Sequence, residues 1–125
     1  DMNIMPVYAV PGDLLRKGAK VYRKLYETGA EFINHGGREH TYFDHVKGRH
    51  ASCFFYEQES KETLKEDILL GHKILTDVLG VQAKGWRTPH FGTFQQPDHL
   101  QFLYSVLNEL KYEYSTSTLP RIMYK

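Results

Sequence analysis

Short apolar runs alternate along this chain with stretches of helical periodicity, and that order limits what it can fold into more than any other feature. Ile4 to Val10 predicts a strand. Pro11-Gly12 marks a turn, and Asp13 is a good helix N-cap, since its carboxylate can accept from the free N–H groups of a first turn. A helix is expected from there to about Thr28, with Leu14, Leu15, Val21, Tyr22, Leu25 and Tyr26 roughly on one face. Gly29 is placed to end it. Glu31-Phe32-Ile33-Asn34 predicts a second strand. A second helix is expected to begin near Ser60 or Thr63, where Thr63 and Glu66 have capping-box spacing. Its stripe is Leu64, Ile68, Gly71, Leu75, Val78 and Leu79, and Gly80 stops it. Val81 to Trp86 predicts a third strand, Asp98 to Lys111 a third helix and Tyr112 to Ser115 a fourth strand.

The resulting order, β-α-β-loop-α-β-α-β, implies a parallel sheet with helical crossovers, an α/β fold over a single domain of residues 1–125. Four strands are too few to close an ordinary (β/α) barrel, so an open sheet or an incomplete barrel is expected. The stretch from His35 to about Glu59 has no clean period and is broken by Gly36, Gly37 and Gly48. It predicts a long loop with one short element at most, and loops this long in small domains are often functional.

Composition excludes several classes. The formal net charge is +1 and the basic residues are scattered, which is not the one-sided basic patch of a nucleic-acid binder. No apolar run approaches the length of a membrane span. The first residues lack the basic start and apolar middle of a signal peptide. A chain beginning with Asp1 is expected to be a piece of something longer, with any targeting signal upstream. The single Cys53 excludes an intrachain disulfide and leaves the redox compartment open. Nine Tyr, seven Phe and one Trp serve a core, and also suit a carbohydrate site, where flat rings pack on sugars.

Two segments carry candidate chemistry. His35 and His40 follow directly on the Glu31–Asn34 strand, at the C-terminal strand end where sites form in parallel α/β folds. Two neutral imidazoles within reach of each other suit zinc or a similar divalent ion. The plain alternative is exposed loop histidines. The second segment is Arg87-Thr88-Pro89-His90-Phe91-Gly92, at the end of the third strand. Arginine holds a carboxylate in fixed orientation, and a turn containing Pro and Gly can present a backbone N–H to a substrate oxygen. The plain alternative is an ordinary turn.

Taken together and in this order, the segments resemble a known family. Gly29-Ala30-Glu31-Phe32-Ile33-Asn34-His35 is similar to the stretch leading into the metal-binding histidines of NodB-homology polysaccharide deacetylases (carbohydrate esterase family four), which typically reads Gly-His-Glu-Ile-(Gly or Ala)-Asn-His. Trp86-Arg87-Thr88-Pro89-His90-Phe91-Gly92 resembles their later Arg-Pro-Pro-Tyr-Gly motif. Leu79-Gly80-Val81 matches their approach to it, and Pro6 to Gly12 occupies the place of their Ala-Thr-Phe-Phe-Val-x-Gly strand. The resemblance covers nearly the whole chain.

It implies part of a distorted (β/α) barrel and a hydrolase that removes N-acetyl groups from amino-sugar polymers or their precursors. It further implies a divalent metal, zinc by preference, held by one Asp and two His, with a second Asp as base. Residue by residue, His35 matches the first metal histidine and His40 the second, with His45 a rival. Arg87 matches the arginine that orients the base, and His90 stands where the family's Tyr offers its backbone N–H. Trp86 and Phe91 are the expected substrate contacts. An acetylated polysaccharide or amino sugar is the implied partner. Family members usually act in the envelope or outside the cell, and cytoplasmic relatives exist.

The chain departs from the pattern in three ways. Four residues separate His35 from His40, where the family has three. The following loop is longer than usual and rich in aromatics. The Thr-Phe-Asp-Asp-Gly motif, source of both Asp residues, is absent, and so are the later strand motifs. An internal fragment of a deacetylase, itself nearly inactive, is therefore the leading expectation. The alternatives are another C–N amidohydrolase on the same barrel, such as an allantoinase-like enzyme, a noncatalytic carbohydrate-binding relative, or a plain α/β domain. Oligomeric state is not legible.

Overall fold

A computed structural model describes residues 4–117. Four parallel strands form one sheet: β1 (Val7–Val10), β2 (Glu31–Asn34), β5 (Gly85–Trp86) and β6 (Tyr114–Ser115), in the order β1-β2-β5-β6. Between them run helices α1 (Gly12–Lys17), α2 (Ala19–Glu27), α3 (Lys61–Leu79) and α4 (Pro97–Glu109). The alternation expected from the sequence is present.

Several boundaries differ from expectation. The first helix is two, because the chain bends at Gly18 (φ −102°, ψ 24°), where a Cβ would meet the Tyr22 ring at 2.8 Å. The first strand starts at Val7 rather than Ile4. The third and fourth are reduced to two residues each, with Glu113 N–H just before β6 donating to the Lys84 carbonyl just before β5 at 2.7 Å. The irregular stretch after His40 contains an antiparallel hairpin, β3 (Thr41–Asp44) and β4 (Arg49–Ser52), which forms a separate two-stranded sheet. Its turn is closed by Asp44, whose Oδ1 accepts from Val46 and Lys47 N–H, and by Gly48 at φ +64°.

Helix α3 is set by its ends and its stripe. The Ser60 side chain accepts from Thr63 N–H at 3.2 Å, so the cap lies at the first of the two expected positions. Gly80 closes the helix in the left-handed conformation at φ 70°. Leu64 and Ile68 bury into one apolar cluster with Tyr56, Trp86, Phe94 and Leu103. Ile74 and Leu75 bury into another with Leu15, Ala30 and Phe32. Each such side chain contributes about 1.5–3 kcal/mol on leaving water, so α3 is the beam joining the two halves of the core. Close approach of this helix to the strand ends needs Gly71, where a Cβ would lie 2.7 Å from Gly36 C and would also strike the Asn34 carboxamide.

Candidate functional site

Strand register decides what meets at the C-terminal edge of the sheet. Val10 pairs with Asn34, Asn34 with Trp86, and Trp86 with Ser115. The next residues along each strand, Pro11, His35, Arg87 and Thr116, therefore emerge side by side. His35 and Arg87 are in contact: the His35 Nδ1–H donates to the Arg87 carbonyl at 2.6 Å. That bond fixes the tautomer and leaves Nε2 free, the arrangement that prepares a histidine to hold a metal.

The His40 ring stands 4.6 Å from that of His35, edge to face. Its Nδ1 is buried and has no hydrogen-bond partner, and a buried ring nitrogen left unpaired is costly unless something else binds it. Burial pushes His35 below the ordinary histidine range, opposed by its bond to the Arg87 carbonyl. His40 is held down at about 4, first by burial and then by the neighbouring His35 and His90. Both rings are thus neutral near pH 7. His90 stands 5.0 Å from His40, stacks on Phe55 at 4.4 Å, and donates Nε2–H to the Cys53 carbonyl at 2.9 Å. It does so from a left-handed backbone at φ 65°. His45, the rival of His40, lies instead against Phe43 in the hairpin, with ring centroids 4.9 Å apart.

The loop joining His35 to His40 is held from beneath. Asn34, fully buried, accepts from Gly36 N–H at 2.9 Å and donates to the Ile68 carbonyl and the Tyr112 hydroxyl. That hydroxyl meets His72 Nδ1 at 2.6 Å. Asp67 on α3 accepts from Gly37 N–H at 3.1 Å, Arg38 N–H at 2.9 Å and the Tyr56 hydroxyl at 2.6 Å. Burial raises the Asp67 carboxyl, and these hydrogen bonds oppose the rise. Sequence reasoning missed this support. Its one trace was an acidic residue on the otherwise apolar stripe side of α3.

Three expected contacts can now be placed. The Arg87 guanidinium lies 5.5 Å over the exposed Phe91 ring and reaches Thr116 Oγ1 at 3.5 Å. No carboxylate pairs with it among the described residues. Phe91 is open to solvent at the rim. Trp86, expected to touch substrate, is instead fully buried, with its indole N–H donating to Thr88 Oγ1 at 2.9 Å. Its strand position turns it into the core beside Tyr56, so it supports the site from below and offers substrate no surface.

The histidine pair fits part of a divalent-metal donor set: two neutral imidazoles, one fixed in tautomer and one with an orphaned nitrogen. No group of three such ligands occurs among the described residues, and Glu39, the carboxylate beside His40 in sequence, is paired with Lys17 at 2.6 Å.

The fold is that of polysaccharide deacetylases, an open piece of a NodB-type (β/α) barrel. One similar structure is a Mycobacterium smegmatis protein described as a polysaccharide deacetylase (TM-score 0.65, 21% identity, 92% of this chain and 33% of that one). Another is a mutant of a CE4 family pseudoenzyme with restored enzymatic activity (TM-score 0.66, 9% identity, 91% and 35%). A third is Puue allantoinase (TM-score 0.52, 18% identity, 88% and 30%). The chain spans about a third of the length of each. No family model matches the sequence, and no curated protein matches it.

Proposed function

We propose that the chain is the histidine-bearing part of a metal-dependent deacetylase acting on N-acetylated amino-sugar polymers or their precursors. The observation that carries this reading is the His35–His40 pair, with rings 4.6 Å apart at the C-terminal edge of a parallel sheet. His35 Nε2 and His40 Nδ1 are the nitrogens left to hold a divalent ion, zinc by donor chemistry. Such an ion, when bound, supplies Lewis-acid polarisation of an acyl carbonyl and lowers the pKa of water. The chain's own residues do the positioning. The Arg87 carbonyl orients His35, Asp67 and Asn34 fix the loop between the histidines, and Phe91 gives the substrate an apolar rim. The carboxylate ligand and the general base are assigned to the remainder of the longer protein.

The test is acetate release from chitin oligomers and peptidoglycan by the longer protein, with and without chelator, beside its His35→Ala and His40→Ala variants. Losing even an outer partner of a metal ligand typically costs about 10–100-fold, so loss of either histidine is expected to cost more than about 100-fold. Chelator-insensitive activity, or full activity in both variants, would sink the proposal. A second reading, a noncatalytic carbohydrate-binding relative, draws on the exposed aromatics Tyr42, Phe43 and Phe91. Sugar binding without acetate release would favour it. Hydrolysis of a small cyclic amide instead of a sugar amide would favour the allantoinase-like reading.

A further inference from the structure

Behind the histidine pair, a chain of hydrogen bonds runs from the turn at His35 to His72, a histidine that the proposed chemistry leaves unused. Gly36 N–H donates to Asn34 Oδ1 at 2.9 Å, so the Asn34 side chain closes a turn around His35. Asn34 Nδ2 donates to the Ile68 carbonyl at 2.9 Å and to the Tyr112 hydroxyl at 3.0 Å. That hydroxyl lies 2.6 Å from His72 Nδ1. We infer that Tyr112 and His72 are positioning residues for the histidine pair: through Asn34 they fix the turn at His35, and the hold lasts only while His72 is neutral. This rests on the reading that His35 and His40 hold a metal.

The direction of each bond follows from counting hydrogens. Asn34 Oδ1 faces an N–H, which sets the orientation of its amide, and both Nδ2 hydrogens are committed to Ile68 and Tyr112. The Tyr112 oxygen therefore accepts from Asn34, and its own hydrogen goes to His72 Nδ1. That requires a neutral His72 with its proton on Nε2. Protonation would place a hydrogen on Nδ1 as well. Tyr112 would then meet donors from both sides, and its own hydrogen would lose its acceptor. A donor left unpaired away from water is unfavourable, so the contact opens. The phenol cannot escape by ionising, because burial pushes Tyr112 up to about 12.

The turn has little room to absorb that opening. Asn34 is fully buried, and Gly71 of α3 lies so close to its Oδ1 that even a Cβ would collide there. A carboxamide that rotates to find a new partner for Nδ2 pulls its other end away from Gly36 N–H. His35 sits inside that turn, so its ring would shift against His40. The charged groups on the elements around His72 are Lys65 and Lys73 on α3, Glu109 on α4, Lys111 and Glu113 beside Tyr112, and Lys84 before β5. Lys65 is paired with Glu109 at 3.1 Å and Lys73 with Asp77 at 3.0 Å. Burial alone lowers His72, with no charge reinforcing or opposing it.

The experiment uses the longer protein and its variants His72→Asn, His72→Leu and Tyr112→Phe. Asparagine offers an amide oxygen where Nδ1 stands and does not titrate. Leucine removes that acceptor, and phenylalanine removes the hydroxyl. Zinc affinity is read by competition with a chelating dye at neutral pH and at about pH 5.5, below the ordinary histidine value. The Gly36 amide resonance of the metal-free protein is followed over the same range. At neutral pH, His72→Leu and Tyr112→Phe should each weaken zinc binding by about 10-fold, the low end of the loss for an outer partner of a metal ligand. His72→Asn should recover most of what His72→Leu loses. On acidification every form loses zinc as His35 and His40 take up protons, and the wild type should lose several-fold more than His72→Asn. Its Gly36 amide should shift with the His72 ring, and that component should vanish in His72→Asn. If circular dichroism shows Tyr112→Phe misfolded, the two His72 variants and the Gly36 titration decide the matter. Zinc binding that needs His35 and His40, with a Gly36 resonance that ignores His72, overturns the positioning role and spares the deacetylase. So does an acid loss that His72→Asn leaves as large as in the wild type. A Gly36 resonance that follows His72, in a protein that neither binds zinc nor releases acetate, supports the hold on the turn and removes the deacetylase reading.

Discussion

The Tyr56 hydroxyl donates to Asp67 Oδ2 at 2.6 Å, and the other oxygen of the same carboxylate holds the backbone between the two site histidines. A ring from the end of the long loop and an acid from α3 thus meet beneath the segment that spaces His35 from His40. Asp67→Ala would strand the Arg38 N–H and the Tyr56 phenol, while Gly37 N–H would keep its bond to the residue 67 carbonyl at 3.0 Å. Each buried unsatisfied group costs about 1–3 kcal/mol, so a loss of about 3 kcal/mol or more is expected in urea denaturation. Tyr56→Phe removes one bond and keeps the ring, and should cost about 1–2 kcal/mol. If Asp67→Ala proves as stable as Tyr56→Phe, the carboxylate is not what holds the loop.

Helix α3 reaches the strand ends only because position 71 has no side chain. Gly71→Ala would drive a methyl into the Asn34 carboxamide and to 2.7 Å from Gly36 C. Both obstacles are buried and hydrogen-bonded, so neither can yield cheaply. Overpacking of this kind costs about 1–3 kcal/mol. The same change should weaken zinc binding by the longer protein, since Gly36 adjoins His35. Unaltered affinity, read by competition with a chelating dye, would contradict the coupling.

The choice of histidines is directly testable with cobalt, whose visible spectrum reports its ligands. In the longer protein, His35→Ala and His40→Ala should each weaken cobalt binding and alter the ligand-field bands. His45→Ala should leave the bands as they are, because its ring rests on Phe43 and not on His35. A spectrum changed by His45→Ala and untouched by His40→Ala would reverse the assignment.

Acid should destabilise the metal-free protein through the same pair. His40 has its folded value near 4 and its ordinary value at 6.5. The unfolded chain therefore binds more protons between those values, and stability falls as pH drops from about 6.5 toward about 4. His35 and His72, also lowered by burial, act in the same direction. Asp67 is raised by burial and acts oppositely, since it takes up its proton more readily when folded. Histidine ring proton shifts follow each group separately, and His40 should remain neutral down to about pH 4. A His40 titration near 6.5 would show that its ring is better hydrated than its position implies.

The sequence made the parallel alternation legible because glycine and cap residues punctuate it: Gly29, Gly80 and Ser60 each sit where an element ends or begins. His35 and Arg87 were legible as neighbours for the same reason, since parallel strands deliver their ends to one edge. What stayed hidden had either a weak local signal or contacts distant in sequence. Nothing local distinguishes Gly18, which breaks a helix against its own Tyr22, from a tolerated helical glycine. The hairpin was obscured because its residues Arg49-His50-Ala51-Ser52 lack the β-branched and aromatic character of a typical strand. Trp86 reads as a substrate contact through the motif it shares with Arg87, yet its side chain is fully buried in the core beside Tyr56. Asp67 could not be paired with Arg38 or Tyr56 without the fold that joins them.

The order β1-β2-β5-β6 leaves the outer sides of β1 and β6 without a strand partner among the described residues. Val7 on β1 is about half exposed beside that open rim, and Ile4 and Met5 just before it are more so. A row of unpaired backbone groups flanked by bare apolar side chains is a template for any extended segment that arrives. These 125 residues produced alone would therefore recruit one another edge to edge. The associated fraction will rise with concentration and will fall when any other strand occupies the rim first.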